Sequence, residues 1–144
     1  MTVPAGTARP TVARPQNAAL MLELETSQEG GRIAVAIYRD AESFRRGEGP
    51  IRTLMANRTS PVTRAWVLGL PPGRYAIAAF HDLDGNGVLT KLPFGLPKEA
   101  FGFSNGATGR IGTTTFDAAA FDLPISGTTQ TIRLTGSRFG GLLR

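Results

Sequence analysis

The stretch that decides the fold runs from Arg74 to Gly106 and reads RYAIAAF (74–80), HDLDGNGVLT (81–90) and KLPFGLPKEAFGFSNG (91–106). Its first part is apolar at both odd and even positions, from Tyr75 to Phe80, which predicts a strand that is buried on both faces. The part after it spaces oxygen-bearing side chains two residues apart and then brings glycines, prolines and phenylalanines together. We therefore predict the central strand of a sheet, followed by a long loop at 81–106.

Segments on both sides of this stretch alternate between apolar and polar residues with a period of two, as half-buried strands do. Turns rich in glycine and proline separate them, and there is no long helical pattern. The predicted strands are 18–25, 32–39, 51–56, 63–68, 74–80, 123–125 and 131–135. Helical turns are predicted at 40–46, with Asp40 as the N-cap, and at 116–120. This pattern predicts an all-β protein, a single antiparallel β-sandwich of about seven strands, in which the first two strands form a hairpin.

Length and composition limit the organisation of the chain and its classes of function. The 144 residues suffice for one domain, which we place at 18–136, after a disordered proline-rich tail at 1–17 and before a frayed C-terminus at 137–144. The absence of cysteine excludes disulfides, thiolate metal sites and a cysteine nucleophile. The net charge is +5, but the arginines are scattered instead of forming a stripe, so we expect no nucleic-acid partner. We also expect no transmembrane segment, and the chain starts without the apolar core of a signal peptide.

The loop contains the sequence D-x-D-x-N-G, in which Asp82, Asp84 and Asn86 are the oxygen ligands and Gly87 allows a sharp turn. The backbone carbonyl of Val88 can add a further oxygen, as in the first seven residues of an EF-hand loop. Hard cations such as Ca²⁺ prefer this ligand chemistry. The sequence therefore predicts a structural Ca²⁺ site, with an Asx-rich turn that binds no ion as the alternative.

The match to an EF-hand is partial. Its twelfth position, which requires a glutamate, is Pro93, and the preceding segment is a strand instead of a helix. Thr90 or Glu99 could complete the ligand shell, and Glu99 is the better donor because it carries a carboxylate. With two certain carboxylates we expect weak affinity, about 10⁻⁴–10⁻³ M.

No catalytic residue is predicted. His81 is the only histidine, and it directly precedes Asp82, so the two side chains point to opposite faces of a strand and cannot form the relay of a hydrolase. Ser104 lacks the G-x-S-x-G surroundings of a nucleophile. We expect His81 to be buried or at the rim, where it hydrogen-bonds the loop backbone.

Aromatic residues form a second group in and near the loop. Phe94, Phe101 and Phe103 are expected to pack over the end of the sheet, and the alternative is that they line a site for an apolar or carbohydrate ligand. Lys98 is expected to face outward or toward the ion. Trp66, the only tryptophan, is expected in the core or at its rim instead of as a platform for a ligand.

Four segments resemble the bacterial family called domain of unknown function 2141. They are GLPPGRYAIAAFHDLDGNG (69–87), FGLPKEAFGFSNGA (94–107), TFDAAAF (115–121) and IAVAIYRDAESF (33–44). The resemblance implies a sandwich of immunoglobulin-like or prealbumin-like type, since the L-P-P-G-x-Y turn is similar to turns in prealbumin-like and Cna-B-type sandwiches, whose acidic loops can hold calcium. Glu99, Ser104 and Asn105 match the family pattern and are candidate site residues by resemblance, whereas Thr90 stands where members usually carry a carboxylate.

Members of that family are typically exported, so the resemblance implies a periplasmic or secreted location. The predicted function is a noncatalytic β-sandwich domain with a structural Ca²⁺-binding loop. The alternative is a module that binds a carbohydrate or protein of the cell envelope through the loop at 92–106, with Trp66 or Tyr75 nearby. A hydrolase that uses His81, Glu99 or Ser104 is the third hypothesis.

Overall fold

The structure is a computed structural model that describes residues 17–82, 100–108 and 114–135. In chain order the elements are β1 (Ala18–Glu25), β2 (Arg32–Tyr38), α1 (Ala41–Arg46), β3 (Arg52–Asn57), β4 (Val62–Leu70), β5 (Gly73–Asp82), β6 (Phe101–Phe103), a 3₁₀ turn (Ser104–Gly106), α2 (Phe116–Ala119), β7 (Phe121–Leu123) and β8 (Thr128–Arg133). Of the predicted tail only Asn17 is described, and the predicted C-terminus at 137–144 lies outside the described residues.

The described strands form two sheets, which confirms the predicted all-β sandwich. The smaller sheet has three strands in the order β4-β1-β8, and the larger has five, with β3-β2-β5-β6 in line and β7 also paired to β5. Every described pair is antiparallel except β1 with β8, which is parallel. This pair departs from the purely antiparallel prediction. It joins the first and last of the described strands, whose relative direction no tight turn dictates.

The predicted hairpin of the first two strands is wrong. β1 pairs with β4 and β8, whereas β2 pairs with β3 and β5, so the two strands lie in different sheets. The segment between them, which contains Gly30 and Gly31 at positive φ, therefore crosses from one sheet to the other. Alternation of apolar residues identifies a strand and its buried face, but it does not identify the partner strand.

The main core lies between the two sheets. The residues of β1, β2 and β5 that point inward, toward the facing sheet, supply most of this core. Each of them is nearly inaccessible to solvent. The central members are Leu20, Leu22, Leu24, Ile33, Val35, Ile37, Tyr75, Ile77 and Ala79. The even-numbered residues of β5 face the other way, so β5 is covered on both sides, as its apolar sequence predicts.

A second apolar layer covers the opposite face of the five-stranded sheet. It contains Phe44 from α1, Phe103 from β6 and Phe116 from α2, together with Tyr38 and Phe101. Phe44 is its centre, since its ring centroid lies 5.5 Å from that of Tyr38, 6.0 Å from that of Phe103 and 6.2 Å from that of Phe116. All three contacts are edge-on, the geometry that the aromatic quadrupole favours.

The short helix α1 is held by its caps. The Asp40 carboxylate accepts a hydrogen bond from the Ser43 backbone N–H at 2.8 Å, as predicted for an N-cap. This bond stabilises the charged form and holds the pKa of Asp40 below its ordinary value. Gly47 ends the helix at φ 68°, a left-handed conformation that glycine adopts without steric cost. The helix thereby places Phe44 over the sheet.

Part of the predicted loop is regular structure. His81 and Asp82 extend β5, and Phe101–Phe103 forms the edge strand β6, so the prediction of a loop throughout 81–106 is wrong at both ends. Among the described residues, no helix has the length and apolar character needed to cross a membrane.

Candidate functional site at the end of the central strand

Asp82 is the last residue of β5 and the first predicted ion ligand. Its side chain is completely buried. In the ladder it lies opposite Arg32 of β2, whose Nη2 atom is 4.0 Å from Asp82 Oδ2. The Arg32 side chain is partly exposed, so this ion pair bridges the interior and the surface. The strand therefore fixes one carboxylate inside the protein where the D-x-D-x-N-G loop begins.

His81 points to the opposite face, as the alternation along a strand predicts. Its Nε2 atom lies 2.6 Å from the carbonyl oxygen of Gly30, and its Nδ1 atom lies 3.1 Å from Thr26 Oγ1. Since a carbonyl only accepts, Nε2 carries a proton and donates to Gly30, and Nδ1 shares the second hydrogen bond with the Thr26 hydroxyl. Both ring nitrogens therefore hold the segment between β1 and β2. His81 is buried as predicted, but its backbone partner lies in this segment instead of in the predicted loop at 81–106.

Thr26 lies at the same end of the sandwich, and no sequence motif indicates its role there. Its N–H donates to Pro61 O at 3.0 Å, and its carbonyl accepts from Arg58 Nη2 at 3.0 Å. With the hydroxyl bonded to His81, Thr26 ties three segments together. Its partners are 32, 35 and 55 residues away along the chain, so no local pattern could have identified it.

Ser104 is completely buried, and its hydroxyl has two partners. It accepts from the Ile77 N–H at 2.8 Å and donates to the Ala119 carbonyl at 2.6 Å. β6 pairs with β5 at residues 78–80 and β7 pairs with it at 73–75. The hydroxyl thus fills the gap between the two short edge strands. Ser104 and His81 are not hydrogen-bond partners, so the structure does not assemble the dyad that the hydrolase hypothesis requires.

Asn105 follows with a φ of 56°, in the left-handed region that asparagine tolerates best among residues with a side chain. Its N–H donates to the Gln130 side chain at 2.8 Å, and its Nδ2 donates to the Ala118 carbonyl at 3.2 Å. The Ser104–Asn105 pair thus connects β5, α2 and β8. Both residues have a role in the fold.

Phe101 and Phe103 are buried in the aromatic layer, with ring centroids 5.8 Å apart. They follow the packing hypothesis, although they cover the face of the sheet instead of its end. The other predicted residues of the loop lie outside the described residues: Asp84, Asn86, Val88, Thr90, Phe94, Lys98 and Glu99. Within the described ranges, no three histidine, aspartate or glutamate side chains are grouped so that they could hold a metal.

Trp66 contradicts its prediction, because it is 60% exposed on the outer face of the three-stranded sheet. It lies on β4 next to Leu68, which is 64% exposed. Period-two alternation could not reveal this, since strand 62–70 carries apolar residues at both odd and even positions.

The comparisons with known proteins identify a family and no individual relative. A family model described as an uncharacterized protein conserved in bacteria (DUF2141) matches residues 24–133, which is more than half of the chain. The match spans β2 to β8 and the last two residues of β1. Neither a curated protein nor a solved structure matches the chain.

Proposed function

The chain belongs to the bacterial family DUF2141, and from that premise we propose that it is a noncatalytic β-sandwich domain whose loop after β5 binds Ca²⁺. The observation that carries the proposal is the placement of Asp82, which the central strand holds completely buried at the first position of D-x-D-x-N-G. A ligand fixed by a strand loses little conformational freedom on binding, which favours a defined ion site.

The chemistry of the donors fits a hard cation. Asp82 supplies a carboxylate, and we propose Asp84, Asn86, the Val88 carbonyl and Glu99 or Thr90 as the further oxygen donors. A divalent cation next to Asp82 would compensate the buried charge more strongly than Arg32 does at 4.0 Å. The ion would connect the end of the central strand to the loop and so serve the fold.

The hydrogen bonds of His81 and Ser104 support the proposal that the domain is noncatalytic. The side chains of His81 and Ser104 form hydrogen bonds with backbone groups and, for His81, with the Thr26 hydroxyl. A nucleophile or general base needs a lone pair directed toward a substrate. Both side chains are also completely buried, so neither presents a lone pair to a substrate at the surface.

We also propose that the domain acts in the periplasm or outside the cell. A site with two or three carboxylates would bind Ca²⁺ at about 10⁻⁴–10⁻³ M, as extracellular modules do. Such a site fills where the ion is present at millimolar concentration. Fractionation of the producing bacterium tests the location, and recovery of the protein only with cytoplasmic markers contradicts it.

Calcium is expected to stabilise the protein measurably. For a dissociation constant in that range, 10 mM Ca²⁺ should add about 1.4 to 2.7 kcal/mol to the free energy of unfolding, by mass action. This corresponds to a rise in Tm of about 5 to 9 °C. The measurement is a thermal melt in EDTA, in 10 mM Ca²⁺ and in 10 mM Mg²⁺, with the smallest shift expected for Mg²⁺, which dehydrates reluctantly.

Two variants and one control test whether the Ca²⁺-dependent rise in Tm arises at this loop. Asp82→Asn and Asp84→Asn should each remove most of the Ca²⁺-dependent shift, whatever they do to the Tm in EDTA. Asp122→Asn changes an exposed aspartate on β7 and should keep the full shift. No shift of the wild-type Tm at 10 mM Ca²⁺, or an equal shift in all three variants, rejects the ion site.

A further inference from the structure

The outer face of the three-stranded sheet divides into a charged half and an uncharged half. In the charged half, Glu23 contacts Arg64 at 3.4 Å and accepts from the Thr131 hydroxyl at 3.0 Å. Glu25 contacts Arg133 at 3.0 Å. These opposite charges neutralise one another, so the charged side chains of this half are already paired within the protein.

The uncharged half is centred on Trp66. Trp66 of β4, Met21 of β1 and Thr129 of β8 form one row across the sheet, and Leu68 lies next to it, more than half exposed. Large apolar side chains that are grouped and exposed often mark a binding surface. The two most exposed large apolar residues of the described chain, Trp66 and Leu68, meet here.

A shallow groove of about 330 Å³ runs beside the indole ring. This volume is at the small end of the range for ligand sites, about 300–1,000 Å³. Its lining residues are Ala19, Trp66, Ser126, Gly127, Thr128 and Thr129. One wall is therefore aromatic, the other is a row of hydroxyl groups and backbone, and none of the lining residues is charged.

Gly127 brings the hydroxyl-bearing turn close to β1. It has a φ of 88°, and a Cβ atom at this position would lie 2.7 Å from the Ala19 carbonyl oxygen. Only glycine combines that conformation with that approach. The hydroxyls of Ser126, Thr128 and Thr129 have no hydrogen-bond partner among the described residues, so they remain available to a ligand.

We propose that this groove, the Trp66 groove, binds a neutral oligosaccharide, with one sugar ring stacked on the indole. The negative face of an aromatic ring attracts the positively polarised C–H groups on the flat face of a pyranose. The hydroxyl groups of the sugar exchange hydrogen bonds with Ser126, Thr128 and Thr129, which act as both donors and acceptors. The uncharged lining matches a ligand without charge.

The mixed character of the lining favours a sugar over a protein partner. A protein–protein hot spot combines buried aromatic anchors with a wide desolvated surround. Here a single aromatic ring stands beside free hydroxyl groups in an open groove, and the paired charges of the other half begin one row away. The groove is narrow, with one aromatic wall and one polar wall, and it suits one or two sugar units.

Trp66 is the only tryptophan of the chain, so tryptophan fluorescence reports on the groove alone. The probes are the β-1,4-linked trimers of glucose and of N-acetylglucosamine and the α-1,4-linked trimer of glucose, titrated in EDTA so that the result is independent of the Ca²⁺ site. At least one trimer should change the emission saturably. Isothermal titration should then give an affinity that Trp66→Ala weakens by about tenfold or more.

Two further variants separate the site from the fold. Thr129→Val should weaken binding with an unchanged Tm, since the side chain is exposed. Met55→Ala removes an exposed apolar residue from the edge strand of the other sheet and should leave the affinity unchanged. The proposal is overturned if no trimer binds, if Trp66→Ala binds as tightly as the wild type, or if sedimentation shows that Trp66 instead mediates self-association.

Discussion

Gly102→Ala is expected to lower the free energy of unfolding by about 3 kcal/mol. A Cβ atom at this position would clash with the Arg133 carbonyl oxygen and lie 3.2 Å from Ile132 Cγ2. The neighbouring residues Phe101 and Thr135 exchange two backbone hydrogen bonds of 3.1 Å, which join β6 to the segment after β8. The methyl group would force the two sheets apart where these bonds hold them together.

Urea denaturation of the purified protein measures this effect, and Gly73→Ala is the matched control. Gly73 is also a strand glycine, but the nearest atom to its added Cβ would be 3.8 Å away, in the Tyr75 ring. The control should change the free energy of unfolding by less than about 0.5 kcal/mol. Equal losses in the two variants would mean that the close approach to Arg133 has no energetic importance.

Ser104→Ala should also lower the free energy of unfolding by about 3 kcal/mol, for a different reason. The substitution adds no atoms, but it leaves the N–H of Ile77 and the carbonyl of Ala119 without their partner in the interior. An unsatisfied buried polar group costs about 1–3 kcal/mol. Native-state hydrogen exchange should show faster exchange at the Ile77 amide in particular, because the gap between β6 and β7 would open to water.

Ser60→Ala is the control for this variant. The Ser60 hydroxyl donates to the Val62 carbonyl at 2.6 Å, but the bond is exposed, so water replaces it. The change in stability should be within about 0.5 kcal/mol. If Ser104→Ala proved as mild, the serine would be dispensable for the fold, and a functional role would need to be reconsidered.

The elements that the sequence predicts correctly are those encoded locally. The two apolar faces of 75–80 predict the central strand, and Asp40 at the start of the turn predicts the N-cap of α1. β6 was missed because Phe-Gly-Phe is short and contains a glycine, which weakens the strand pattern. The choice of sheet for β1 and β2 was missed because it depends on partners far along the chain.

In the candidate site, too, local features are predicted correctly and features that depend on distant residues are not. Alternation predicts that His81 and Asp82 point apart, and the structure confirms it. The role of Ser104 depends on Ile77 and Ala119, which are 27 and 15 residues away, so sequence spacing could not predict it. The sequence predicts Trp66 in the core or at its rim because tryptophan is usually buried in large part, and only the sheet topology places it on the outer face.

The parallel pairing of β1 with β8 also constrains how the domain can fold. Glu23 and Glu25 bond residues that are 108 positions later in the chain, so the three-stranded sheet cannot be completed until nearly the whole domain has been synthesised. Contacts this distant raise the entropy cost of the folding nucleus and slow its formation. The polypeptide therefore spends a long interval as an incomplete sandwich, with the apolar face of β1 only partly covered, and during this interval it exposes the kind of surface that chaperones bind.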